Sequence, residues 1–87
     1  VGLEDSGRTK ESPQRAELMS LAIAIVVHCE GCIACHVHDA LDHGASREEV
    51  AETVGVAVMM GGGPSVVYGS LALEALEQFL AQDGPKP

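Results

Sequence analysis

The segment Cys29-Glu30-Gly31-Cys32-Ile33-Ala34-Cys35-His36 holds residue types at the spacing of a redox centre. Cys29 and Cys32 form a C-x-x-C pair, and His36 follows Cys32 by four residues. A helix opening near Cys32 would set that thiol at the positive end of the helix dipole, which lowers a thiol pKa and favours the nucleophilic thiolate. The four-residue spacing puts Cys32 and His36 on one helix face. An imidazole there can take the thiol proton or stabilise the thiolate. A sulfenic acid formed on Cys32 would be resolved by Cys29 into a disulfide. A histidine base is commonly oriented by a third group, and Glu17 is the candidate, twelve positions before Cys29 at the head of an apolar run. A carboxylate flanking such a run is costly unless it has a partner. The same residues carry a rival chemistry. Cys29, Cys32 and His36 also read as three zinc ligands, with Cys35, Glu17 or a group from another subunit as the fourth. Cys35 otherwise reads as a packed helix residue.

These side chains need helices to hold them. Ser12-Pro13 is a helix start, with Ser12 as N-cap and Pro13 at the first helical position. The first core helix is expected from about Pro13 to His28, apolar nearly all round after Glu17 and therefore buried. Ile23, Ile25, Val26 and Val27 are β-branched and would suit a strand, but the length of the run and its alanines favour a helix. A break at Glu30-Gly31 precedes a second helix from near Cys32 to His43, with Gly44 free to take the left-handed conformation that ends it. Ser46-Arg47-Glu48-Glu49 is a capping box for a third helix, in which Val50, Val54, Ala57 and Val58 recur on one face. Gly61-Gly62-Gly63-Pro64 breaks that helix and restarts a fourth through Leu71, Leu76 and Phe79, with Glu74 and Glu77 on the solvated side. The glycine run lacks the Lys-Ser or Lys-Thr of a phosphate-binding loop. The expected organisation is an N-terminal arm over 1–12, one helical domain over 13–81 and a tail over 82–87. His38 and His43 read as surface or interface residues, and Met59 and Met60 as core or interface fillers.

Composition narrows the partners. The chain has 87 residues, 46 % hydrophobic but only 2 % aromatic, which points to subunits sharing an aliphatic core. The net charge of −8 disfavours nucleic acid and anionic lipid. Not one lysine or arginine lies between Arg15 and Arg47. The apolar stretch from Leu18 to Val27 is too short to span a bilayer, which takes roughly 20 residues. Val1 to Arg15 is polar and has no secretory h-region. Three clustered cysteines suit a reducing compartment rather than a secreted disulfide scaffold. A cytoplasmic location is expected.

The pattern Glu17-x11-Cys29-x-x-Cys32-x-x-x-His36 resembles the alkylhydroperoxidase D-like members of the carboxymuconolactone decarboxylase family. So do Gly44-Ala45-Ser46-Arg47-Glu48-Glu49-Val50 and Val58-Met59-Met60-Gly61-Gly62-Gly63-Pro64, and the likeness extends over about Pro13 to Leu80. The resemblance implies a small all-α domain of about four helices, assembled as trimers or hexamers, and thiol-dependent peroxidase or disulfide-reductase activity of an antioxidant type. It implies that Cys32 attacks the peroxide, that Cys29 resolves it, and that His36 and Glu17 relay the proton. It further implies a peroxide or disulfide substrate, a dihydrolipoamide-like or protein dithiol as electron donor, and no cofactor. The founding members carry a histidine immediately before the second cysteine, where this chain has Gly31, and Cys35 lies outside the family's catalytic set. The true lactone decarboxylases generally lack the C-x-x-C pair, which makes decarboxylation the lesser inheritance.

Overall fold

The computed structural model describes residues 12–83, and these form four α-helices: α1 (Pro13–Val26), α2 (Glu30–Asp42), α3 (Arg47–Gly61) and α4 (Gly63–Asp83). The expected all-α class holds. The arm expected over 1–12 lies outside the described residues except for Ser12, as do residues 84–87 of the tail, while α4 carries the helix two positions into that tail.

The starts of α1 and α3 follow the sequence, whereas the break expected at Glu30-Gly31 lies inside α2. Ser12 caps α1 by accepting from the Arg15 N–H at 3.1 Å, with Pro13 in the first turn. Ser46 and Glu49 form the reciprocal capping box of α3, at 3.0 Å from the Glu49 N–H to Ser46 Oγ and 2.8 Å from the Ser46 N–H to Glu49 Oε1.

Two helix ends share one geometry with different residues. At the end of α2 the Ala45 N–H reaches Ala40 O and the Gly44 N–H reaches Leu41 O, a Schellman pattern with Gly44 at φ +90°. At the end of α1 the Cys29 N–H reaches Ala24 O and the His28 N–H reaches Ile25 O, the same pattern, with His28 at φ +64° in the glycine position. Helix α1 therefore stops at Val26, two residues short of the expected His28. The left-handed turn ends it, and Cys29 becomes the N-cap of α2. A histidine in that conformation costs about 1–2 kcal/mol. Its ring stacks on Tyr68 of α4, centroids 4.4 Å apart and planes 7° from parallel, which offsets part of that cost.

The turn folds α1 and α2 into an antiparallel hairpin, tied at its far end by Gln14 Nε2 donating to His43 O at 3.3 Å. Leu21 and Ile25 of α1 meet Ile33, Val37 and Ala40 of α2 in the core, with Val50, Val54 and Ala57 of α3 and Ala72 and Leu76 of α4 closing it. The all-round burial expected of α1 is not met among the described residues. Ile23 is 62 % exposed and Val27, just past the helix, 63 %, and Met59 and Met60 of α3 are exposed to 73 % and 74 %. No helix of the described residues is long and apolar enough to cross a membrane.

Candidate active site

Glu17 sits one turn before Leu21 and two before Ile25, so it extends the buried stripe of α1 outward. His36 borders the stripe Ile33-Val37-Ala40 of α2 in the same way. Antiparallel packing brings the two partly buried edges together. Glu17 Oε1 lies 2.6 Å from His36 Nδ1, with the side chains 24 % and 29 % exposed. An ionised Glu17 holds the proton on Nδ1 and leaves the Nε2 lone pair as the basic site of the ring.

Cys29 and Cys32 are joined as a disulfide with Cα atoms 5.3 Å apart, inside the roughly 4.4–6.8 Å that such bridges span. Cys29 is the N-cap of α2 and Cys32 the third helical residue, so α2 opens two positions earlier than expected. The dithiol thus occupies the first turn, where unpaired N–H groups and the helix dipole favour negative charge. Cys29 is half-buried and Cys32 exposed, and His36 follows Cys32 by one helical turn on the same face. All four residues singled out from the sequence, Glu17, Cys29, Cys32 and His36, therefore gather along the α1–α2 seam.

Three features were not foreseen. Cys35 is exposed rather than packed, and its Sγ lies 3.7 Å from Asp39 Oδ2. The Asp39 charge pushes the Cys35 thiol pKa up from its ordinary value, with the Glu17 charge adding to it. Asp39 is in turn held below the usual carboxylate range, chiefly by the hydrogen bond from His38 Nδ1 to its Oδ1 at 3.1 Å. The four-residue spacing of Cys35 and Asp39 was the signal for this contact. The stack of His28 on Tyr68 had no local signal. His38 and His43 lie at the surface as read, His38 edge-on to Phe79 and His43 with Nδ1 2.8 Å from Asp39 O.

Two open grooves flank the seam. One of about 180 Å³ runs between α2 and α4 from Glu30, over Ile33, Ala34, Leu71 and Ala75, to Glu74 and Gln78. The other, about 200 Å³, is lined by Ala22, Ile23, Val26, Val56, Ala57 and Met60 alone.

Comparison with known proteins agrees with this architecture. The chain is similar to the crystal structure of apo-lpg0406, a carboxymuconolactone decarboxylase family protein from Legionella pneumophila, with a TM-score of 0.79 and 40 % identity over 88 % of this chain and 70 % of that one. It is 42 % identical over 57 residues to an uncharacterised protein of Cupriavidus necator, covering 66 % of this chain and 50 % of the relative. It is 34 % identical over 63 residues to uncharacterised protein 4 in the cox locus of Paracoccus denitrificans, covering 72 % of this chain and 57 % of the relative. The chain thus spans about half the length of the curated relatives it matches. The model of the carboxymuconolactone decarboxylase family matches residues 6–75, and with a structural neighbour from the same family this settles the kinship: the chain belongs to the carboxymuconolactone decarboxylase family.

Proposed function

We propose that the chain is a thiol-dependent peroxidase or disulfide reductase that cycles Cys29 and Cys32 between dithiol and disulfide. The observation that carries this reading is the 2.6 Å contact between Glu17 and His36, one helical turn from Cys32. In the reduced chain His36 Nε2 takes the Cys32 proton, and Glu17 stabilises the imidazolium. The Cys32 thiolate attacks one peroxide oxygen. The O–O bond breaks, the leaving alkoxide takes the proton back from His36, and Cys32 becomes a sulfenic acid. The Cys29 thiol then attacks that sulfur, water leaves, and the disulfide closes. A dithiol donor of the dihydrolipoamide or protein type returns two electrons and two protons by thiol–disulfide exchange.

The chemistry fits a reducing compartment, and we place the chain in the cytoplasm. The exposed apolar side chains of α1 and α3 fit a second copy of the chain, as in a trimer or hexamer. The test is peroxide consumption by the reduced chain, with dithiothreitol and dihydrolipoamide as rival donors and Cys32→Ser as control. Turnover lost in Cys32→Ser supports the reading, with Cys29→Ser leaving a trappable sulfenic acid on Cys32. Absence of turnover with peroxides and with small disulfides overturns it.

A further inference from the structure

The ligand atoms of Cys35, His36 and Asp39 all lie within 4.8 Å of one another on α2, and none of the three residues belongs to the Cys29–Cys32 bridge. A tetrahedral ion with bonds of about 2.0–2.3 Å holds its ligands roughly 3.3–3.8 Å apart. The Cys35 Sγ to Asp39 Oδ2 separation of 3.7 Å already matches one edge of that tetrahedron. The supports behind the ligands are also in place. Glu17 engages His36 Nδ1 at 2.6 Å, the carboxylate–imidazole pairing that orients a metal-binding histidine through its other nitrogen. His38 holds Asp39 Oδ1 at 3.1 Å, which turns Oδ2 toward Cys35. The carboxylate of Asp39 touches Cys35 and that of Glu17 touches His36, so negative charge surrounds the cluster. A divalent cation held there would favour the thiolate.

We propose that Cys35, His36 and Asp39 form a metal site for a divalent ion of the zinc class, distinct from the dithiol. One thiolate, one imidazole and one carboxylate give a borderline-soft donor set that suits zinc or cobalt rather than calcium or magnesium. The three protein ligands leave the fourth position to water. Binding converts the Cys35 thiol to a metal thiolate and releases its proton to solvent. The ion takes the Nε2 lone pair of His36, so metal and transferred proton compete for one atom. The site itself does not depend on peroxide chemistry.

The test uses the full chain with the Cys29–Cys32 disulfide closed, where Cys35 is the one free cysteine and no peroxide is present. Titration with Co²⁺ should give a thiolate-to-cobalt charge-transfer band and tetrahedral visible bands saturating at one ion per chain, with Zn²⁺ displacing them. Cys35→Ser should remove the charge-transfer band, and Asp39→Asn should weaken binding at least tenfold, each with far-UV circular dichroism unchanged. The Cys29→Ser/Cys32→Ser double variant should keep the band. X-ray absorption at the zinc edge of the wild-type chain, independent of any variant, should show one sulfur among nitrogen and oxygen neighbours. The proposal is overturned if the oxidised chain gives no thiolate band, if Cys35→Ser retains it, or if the zinc shell contains no sulfur or more than one. Loss of peroxidase turnover alone would leave every one of these readings unaltered.

Discussion

At the scale of single residues, two carboxylates set the character of two neighbouring side chains. Glu17 reaches His36, and the cost of a partly buried carboxylate is offset by a hydrogen bond at 2.6 Å. General-base assistance contributes about 10²- to 10⁴-fold, so Glu17→Gln and His36→Ala should each lower peroxide turnover at least tenfold, while strong oxidants still close the disulfide. The pH–rate profiles of both variants decide it, and profiles identical to wild type would leave activation to the helix start alone. Asp39 acts on Cys35 in the opposite sense. A raised thiol pKa keeps Cys35 neutral to higher pH, so iodoacetamide should label it slowly near neutrality in the oxidised chain. Asp39→Asn removes the largest cause and should move the alkylation midpoint to lower pH. An unmoved midpoint would count against the contact. The Glu17–His36 pairing was legible as a question only, because sequence spacing fixes one helix and not the packing of two.

At the scale of elements, the helix starts with a side-chain cap were more legible than the turn between α1 and α2. The Ser12 and Ser46 caps are local, built from side chains within three residues of the N–H groups they satisfy. Gly44 announced its turn because glycine adopts positive φ at little cost. His28 makes the same turn without that signal, since its cost is offset by Tyr68 from a distant helix, and the reading overran α1 by two residues. The glycine run at the α3–α4 junction was read as a break, but its packing was not. A Cβ on Gly61 would meet Ser65 Oγ and, at 2.9 Å, Ser65 Cβ, with Val26 Cγ2 at 3.3 Å. Ser65 is fully buried and its hydroxyl has no hydrogen-bond partner among the described residues, so Gly61 is what lets α4 seat this side chain against α3. Gly61→Ala should therefore destabilise the chain by about 1–3 kcal/mol in urea unfolding. Ser65→Gly in the same chain should restore part of the loss, and a Gly61→Ala chain as stable as wild type would refute the crowding.

At the scale of the whole molecule, the aliphatic composition has two consequences. Inside, the large fully buried apolar side chains, Leu21, Ile25, Ile33, Val37, Val50 and Leu76, are all aliphatic, with Tyr68 and Phe79 packed at the edge of the core. Outside, Ile23, Val26, Val56 and Met60 line an apolar groove that the described residues leave uncovered. Burying such side chains yields roughly 25 cal/mol per Å² of apolar surface. At micromolar concentration the chain should scatter light as a multimer, and Ile23→Asp or Met60→Asp should shift it toward smaller species with helicity retained. A stable wild-type monomer of 9.0 kDa would refute the shared surface. The sequence made this surface legible as an excess of apolar residues, yet it could not say which helix faces would carry the excess. That depends on how four helices divide one core.

The stack of His28 on Tyr68 gives the molecule a built-in optical reporter. The chain has no tryptophan, and Tyr68 is its single tyrosine. Tyrosine emission therefore comes from one ring, in contact with the residue that directly precedes Cys29. Disulfides and imidazolium groups both quench tyrosine emission. Opening the bridge should brighten the chain and closing it should dim it, giving unlabelled stopped-flow access to reduction and reoxidation of the Cys29–Cys32 pair. Tyr68→Phe should be dark throughout. Emission that stays level through reduction would mean that the ring senses only its own helix.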